Sequence, residues 1–270
     1  MDDRPIGVFD SGLGGLTTVR ELCRLLPEED IVYFGDTGRV PYGSRSRETI
    51  VKYARQDVAF LRTFDLKTIV IACGTVSTTA LDVLAAENPI PVLGVVAPAA
   101  RAAARATRSG SIGLIGTQVS IRSGAYERLI RAENPAARVL AQPCPLFVPL
   151  VENGRFRPGD VVIETVAAEY LAPLREAGVD TLVLGCTHYP LLEKVIGAYM
   201  GPEVRLINSG AEGARAAADC LRERDALAGP GRGSCRCFVS DRQEDFSRLA
   251  STFLGWDVAQ AVEQVDISQY

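Results

Sequence analysis

The feature that most constrains this chain is the alternation, almost from end to end, of short apolar runs with amphipathic stretches at helical spacing. A parallel strand buried on both faces reads as a continuous apolar run, while the helix that returns the chain needs only one apolar stripe. Ile6-Gly-Val-Phe9, Ile31-Val-Tyr-Phe34 and Thr68-Ile-Val-Ile-Ala72 read as strands. Between them, Leu16, Val19, Leu22 and Leu26 recur at helical spacing before Pro27, and Ile50, Tyr53, Ala54, Val58 and Leu61 form a second stripe. Further strands are expected at Val92–Val96, Ser111–Ile115, Val139–Ala141, Thr181–Leu184, Val204–Ile207 and Cys237–Val239. The clearest helix should run from Asp160 to Glu176, with Val162, Val166, Tyr170 and Leu174 on its stripe and Gly178 closing it.

So many βα units exceed one compact sheet, and 270 residues suffice for two cores. The expected fold is α/β, with two similar doubly wound parallel-sheet domains and a cleft between them. Val96-Ala-Pro98 is the candidate crossing and Asn208-Ser-Gly210 the candidate return. One lobe would then comprise residues 1–97 plus 208–270 and carry Cys73, and the other residues 98–207 and carry Cys186.

Composition narrows the function. A formal net charge of -4, from 29 Lys plus Arg against 33 Asp plus Glu, argues against nucleic acid as the main partner. The start, Met1-Asp-Asp-Arg-Pro5, lacks the order of a signal peptide, and no apolar run reaches the ~18 residues of a membrane helix, so a cytoplasmic protein without a membrane role is expected. Seven cysteines form an odd set without a secretion signal, so free thiols are the default. His188 is the only histidine and Cys235-Arg-Cys237 has no second pair to complete a tetrahedron, so no metal is expected.

Chemistry concentrates where two pieces echo each other. Ile69-Val-Ile-Ala-Cys-Gly-Thr75 and Leu182-Val-Leu-Gly-Cys-Thr-His188 each run an apolar strand into Cys and Thr. In open α/β sheets ligands bind beyond the carboxyl ends of the strands, which is where both cysteines fall. Helices capped by the hydroxyls after Cys73, and by Thr187 to Pro190 after Cys186, would lower the thiol pKa values. A free cysteine is usually a small buried hydrophobe, and Cys23, Cys144, Cys220, Cys235 and Cys237 are read so. Repetition sets Cys73 and Cys186 apart. Two thiols facing one cleft suit inversion at a carbon, one removing a proton and the other returning one to the opposite face.

Asp10, at the end of the first strand in Asp10-Ser-Gly-Leu-Gly-Gly15, is similarly placed, but the glycines lack dinucleotide-site spacing and no Walker A sequence exists. Pro41-Tyr-Gly43 reads as a functional loop, though a plain turn would look alike. The only lysines, Lys52, Lys67 and Lys194, fall in helical patterns or ahead of a strand, leaving none for a pyridoxal Schiff base. Amino-acid chemistry here should need no cofactor.

Over nearly its whole length the chain resembles the cofactor-independent glutamate racemases of bacterial cell-wall synthesis. The likeness lies in Phe9-Asp-Ser-Gly-Leu-Gly-Gly-Leu16, Phe34-Gly-Asp-Thr37 with Val40-Pro-Tyr-Gly43, Ala72-Cys-Gly-Thr75, Gly116-Thr117 before Ser123-Gly-Ala-Tyr126, Pro145-Leu-Phe-Val-Pro-Leu-Val-Glu152, and Leu184-Gly-Cys-Thr-His-Tyr-Pro-Leu191. The resemblance implies that Cys73 and Cys186 are the proton-transferring thiols, assisted by Asp10 and His188, with Glu152 on the His188 side. It also implies that Asp10, Ser11, Tyr42, Gly43, Gly74, Thr75, Thr117, Thr187 and His188 lie against L- or D-glutamate. It leaves the oligomeric state open, a homodimer included.

Two positions depart from the family. Gly74 stands where Asn is usual, removing one side-chain hydrogen bond worth about 1.5–3 kcal/mol when made to a charged group. Asn208 stands where Asp is frequent before Ser-Gly. The nearest alternative is an aspartate or hydantoin racemase of the same superfamily. A Cys186–His188 hydrolase and a non-catalytic two-lobed binding protein are the others.

Overall fold

The structure, a computed structural model, describes residues 1–256 and 262–270. Residues 257–261, within the expected first-lobe range, lie outside the described residues. The chain opens with β1 (Ile6–Asp10), α1 (Leu16–Leu25), β2 (Ile31–Gly35), α2 (Arg47–Leu61), β3 (Thr68–Ile71), α3 (Gly74–Thr79), α4 (Leu81–Glu87) and β4 (Val92–Gly94). There follow α5 (Val96–Ala106), β5 (Ser111–Gly116), α6 (Gln118–Arg122), α7 (Ala125–Glu133), β6 (Arg138–Pro143), α8 (Phe147–Glu152), α9 (Val161–Glu176), β7 (Thr181–Leu184), α10 (Glu193–Met200) and β8 (Arg205–Asn208). Then α11 (Ser209–Glu223), β9 (Cys235–Val239), α12 (Gln243–Leu254) and β10 (Val262–Gln264) complete it.

The strands form two parallel sheets, one six-stranded in the order β10-β9-β2-β1-β3-β4 and one four-stranded in the order β6-β5-β7-β8. The two-domain α/β architecture is therefore present, and the second sheet repeats the β2-β1-β3-β4 order of the first. The chain leaves the first sheet through α5, which packs on α7, β7 and β8, and returns through α11, which packs on α1. Every residue of β1, β2, β3 and β7 is buried, as continuous apolar runs require when helices cover both faces. No helix among the described residues is long and apolar enough to cross a membrane.

The differences from expectation are local. The strand at Val92 stops at Gly94 because Val96 already belongs to α5. In α9, capped by the Asp160 side chain, the buried row is Ile163, Ala167, Leu171 and Leu174. Of the expected stripe, Leu174 is in that row and Val166 and Tyr170 pack half-buried at its edge, while Val162 is 43% exposed. Val161 and Val162 sit in the first turn, where apolar side chains carry no reliable face signal. β10 was not foreseen, since Val262-Glu-Gln264 contains no apolar run.

Candidate active site

In the first sheet β1 has β2 on one side and β3 on the other, so the winding reverses between β1 and β3. The second sheet does the same between β5 and β7. Such switch points leave a crevice beyond the carboxyl ends, where the helices diverge. Asp10 ends β1 and Cys73 follows β3, while Thr117 and Cys186 follow β5 and β7. The two crevices open onto a single cavity of about 440 Å³. Ser11, Tyr42, Gly43, Cys73, Gly74, Thr75, Thr117, Glu152, Cys186, Thr187 and His188 all line it. Asp10 is the one candidate that does not, lying one layer beneath.

On the first side Cys73 is the N-cap residue of α3 and only 4% exposed. Its thiol donates to Ser11 Oγ at 3.4 Å. Burial pushes it up to about 12, reinforced by the negative charge of Asp10, while the Ser11 hydroxyl and the Val76 N–H pull the other way. The helix start thus acts in the expected direction, but desolvation outweighs it. Asp10 Oδ2 accepts N–H bonds from Gly12 at 3.1 Å and Gly15 at 2.9 Å. Burial raises the Asp10 carboxyl nonetheless, against the opposing charge of His188. Asp10 therefore couples electrically to Cys73 and to His188 at once.

On the second side the expected helix start is absent. Cys186 is followed by a single 3-10 turn, Tyr189–Leu192, and α10 begins only at Glu193. His188 takes that place instead. Its Nδ1 lies 3.9 Å from Cys186 Sγ and 3.5 Å from Thr187 Oγ1, and its Nε2 is 2.9 Å from Glu152 Oε1. Burial disfavours the imidazolium, but the Cys186 and Glu152 contacts more than offset it and push His188 up to about 10. Residues two apart share a face of an extended strand but stand about 6–7 Å apart along it; here both follow the strand end, where the turning chain brings the ring to within 3.9 Å of the sulfur.

Tyr42 has a different relation to the cavity from the one its residue type suggests. Its ring is 1% exposed and its hydroxyl bonds to Asp36 and, at 2.9 Å, to Asp57. Arg39 links the same two carboxylates at 2.6 and 2.5 Å and reaches Gln56 at 2.6 Å. Burial and the Asp36 charge hold the Asp57 carboxyl well above its usual range. The network consumes the phenol, so what Tyr42 and Gly43 offer a ligand is backbone. Across from Gly43, the Thr75 and Thr117 hydroxyls meet at 3.1 Å.

Sequence reasoning missed part of the wall. Cys144, read as an ordinary buried thiol, is indeed 0% exposed, yet it borders the cavity with Pro145, Val148, Pro149 and Gln118. The signal was available, because Cys144 directly precedes the Pro145–Glu152 segment. Cys235 and Cys237 instead lie with sulfurs 4.0 Å apart on β9, away from the cavity. Lys67 sits at the amino end of β3, ion-paired with Glu29, and no lysine lines the cavity.

A family model described as Asp/Glu/Hydantoin racemase matches residues 9–217. The glutamate racemase of Geobacter metallireducens is 49% identical over 256 residues, 94% of each chain, and that of Chlorobaculum tepidum 46% identical over 258 residues, 95% of this chain and 94% of the other. Among solved structures, a glutamate racemase from Bacillus anthracis superposes with a TM-score of 0.93 at 38% identity over 98% of both chains. One from Francisella tularensis in complex with D-glutamate gives 0.92 at 37% identity over the full length of both. The chain belongs to the Asp/Glu/hydantoin racemase family, and within it to the glutamate racemases.

Proposed function

We propose that this cleft interconverts L- and D-glutamate by two-thiol proton transfer, supplying D-glutamate for peptidoglycan. The observation that carries the reading is the presence of Cys73 and Cys186 at equivalent strand ends of two like-ordered sheets, on one cavity. We take the units as residues 1–97 with 208–270 and residues 98–207, and the protein as cytoplasmic.

One cysteine, as thiolate, removes the α-proton, and the electron pair left on carbon delocalises into the α-carboxylate. The other, as thiol, delivers its proton to the opposite face. Each turnover leaves the two protonation states exchanged, so the reverse reaction begins from the swapped form. Cys186 is assigned to L-glutamate and Cys73 to D-glutamate. That assignment follows the family resemblance. The surroundings of the two thiols differ: burial and the Asp10 charge oppose ionisation of Cys73, while the His188 ring, fixed by Glu152, stands 3.9 Å from Cys186 Sγ. Ser11, Thr75, Thr117 and Thr187 offer hydroxyls, and Tyr42 and Gly43 offer backbone, to the carboxylates and ammonium. Gly74 contributes backbone only. Asp10 works through Cys73 and His188.

The test is single replacement of Cys73 or Cys186 by Ala, followed by circular dichroism from each enantiomer. Racemisation should vanish in both directions for both variants. Full activity in either would remove the two-thiol mechanism.

A further inference from the structure

The two halves of the site meet where side chains are missing. A Cβ placed on Gly74 would lie 2.6 Å from the Gly185 carbonyl oxygen and 4.0 Å from the Cys186 Cα, so the backbone that bears one thiol rests directly on the backbone that bears the other. Gly185 has no room to retreat. Its N–H donates to Ile115 O at 2.8 Å, and a Cβ on it would lie 2.7 Å from that same oxygen. Real Cβ atoms essentially never come within 3.0 Å of such neighbours, and here the obstacle is main chain just past β7, tied to β5 through Ile115, rather than a movable side chain. A second close contact joins Gly43 to Thr117, there against a short β-branched side chain, with 2.9 Å from the would-be Cβ to the Thr117 Cβ.

We propose that Gly74 is a positioning residue: packed on Gly185, it sets how closely the two catalytic thiols approach, and the Asn usual in the family does not fit in this chain. The inference rests on the racemase reading above. It reverses the expectation from sequence, in which Gly74 is simply a lost hydrogen bond that Asn would restore. Any side chain here pushes the Cys73 and Cys186 loops apart. A carbanion formed by one thiol is then too far from the other and is reprotonated from the side it left. Misplacement by about 1 Å can cost on the order of 100-fold in rate.

The experiment compares Gly74→Ala and Gly74→Asn with wild type, using glutamate in deuterated buffer. Deuterium entry into the starting enantiomer and formation of the opposite enantiomer are measured separately, with kcat and KM. Gly197→Ala serves as control, since its Cβ would make only an ordinary contact with Leu206 at 3.7 Å. Both Gly74 variants should lose turnover on the order of 100-fold in kcat, with exchange outrunning inversion, while Gly197→Ala matches wild type. A Gly74→Asn enzyme with undiminished kcat, or with inversion and exchange in the wild-type ratio, would overturn the proposal. Should neither Gly74 variant fold, as judged by melting temperature, Gly43→Ala decides: the same excess of exchange is expected, and the wild-type ratio would refute the seam. Wild type that racemises no glutamate would instead sink the racemase reading itself, and the inference with it.

Discussion

Replacing Glu152 by Gln removes one negative charge and keeps the side chain's shape, which isolates what the carboxylate does for His188. The bond at issue is 2.9 Å long, between a ring 8% exposed and a carboxylate 33% exposed. A hydrogen bond to a charged group contributes about 1.5–3 kcal/mol, and solvent at the Glu152 end argues for the lower figure. At 1.36 kcal/mol per unit this is a fall of about one pKa unit. His188 should therefore titrate near 10 in the parent and roughly one unit lower in Glu152→Gln.

Because His188 is the only histidine in the chain, its imidazole resonances can be followed by NMR without assignment. A titration midpoint that does not move, or moves upward, would refute the reasoning. The sign for stability follows the same pair. A raised folded-state pKa means the contribution is complete below the ordinary value of 6.5 and is lost as pH rises through about 10. The variant's stability deficit should therefore shrink between those limits. In kinetics, L- and D-glutamate are equally stable, so kcat/KM must remain equal in the two directions for every variant. A change at His188 can therefore lower kcat/KM only equally in the two directions, and any asymmetry between the two kcat values must be compensated in KM.

Three further outcomes follow from other parts of the structure. Asp10→Asn removes a charge that opposes Cys73 ionisation, so the pH midpoint for Cys73 alkylation, measured in a Cys186→Ala background, should fall below about 12; no change would deny the coupling. Asp57→Asn loosens the Asp36–Arg39–Tyr42 network behind the Tyr42–Gly43 backbone and should raise KM for glutamate roughly tenfold, about 1.4 kcal/mol of binding, with kcat little changed. Equal KM values would show that the loop holds its position without it. Lys67→Met strands the buried Glu29 and should cost about 3–5 kcal/mol in urea unfolding while leaving kcat intact; wild-type stability would contradict that account.

Much of the fold was legible because parallel strands covered on both faces must be apolar throughout, which is why Thr181–Leu184 was read to the residue and Ser111 was placed correctly as a strand start. What failed was information the periodic signal does not carry. The α9 stripe failed at its start, where Val162 is apolar but exposed in the first turn, and its centre runs through Ile163, Ala167 and Leu171 with Val166 and Tyr170 at the edge. β10 escaped because a short edge strand has only one strand neighbour and needs no apolar run.

At the site, the echo of the two cysteine segments found the crevices because each marks the third strand of a repeated β-order. Sequence could not tell that the Tyr42 hydroxyl is turned inward to Asp36 and Asp57, nor that Gly74 abuts Gly185. The Gly74 contact joins residues far apart in the chain, and the Tyr42 one depends on how the loop after β2 folds back onto α2. His188 standing in place of a helix start beside Cys186 was hidden for the same reason, since the ring's direction is set by Glu152 from α8.

The central claim, that two thiols alone invert the α-carbon of glutamate, is tested most directly by incubating the purified protein with L-glutamate in deuterated buffer without added cofactor. Optical rotation, D-glutamate and the α-proton signal are then followed together. The account predicts that optical activity decays to zero while deuterium enters the α position of the D-product. Retention of both the optical signal and the α-proton would contradict it, as would racemisation that proceeds only when pyridoxal phosphate is supplied.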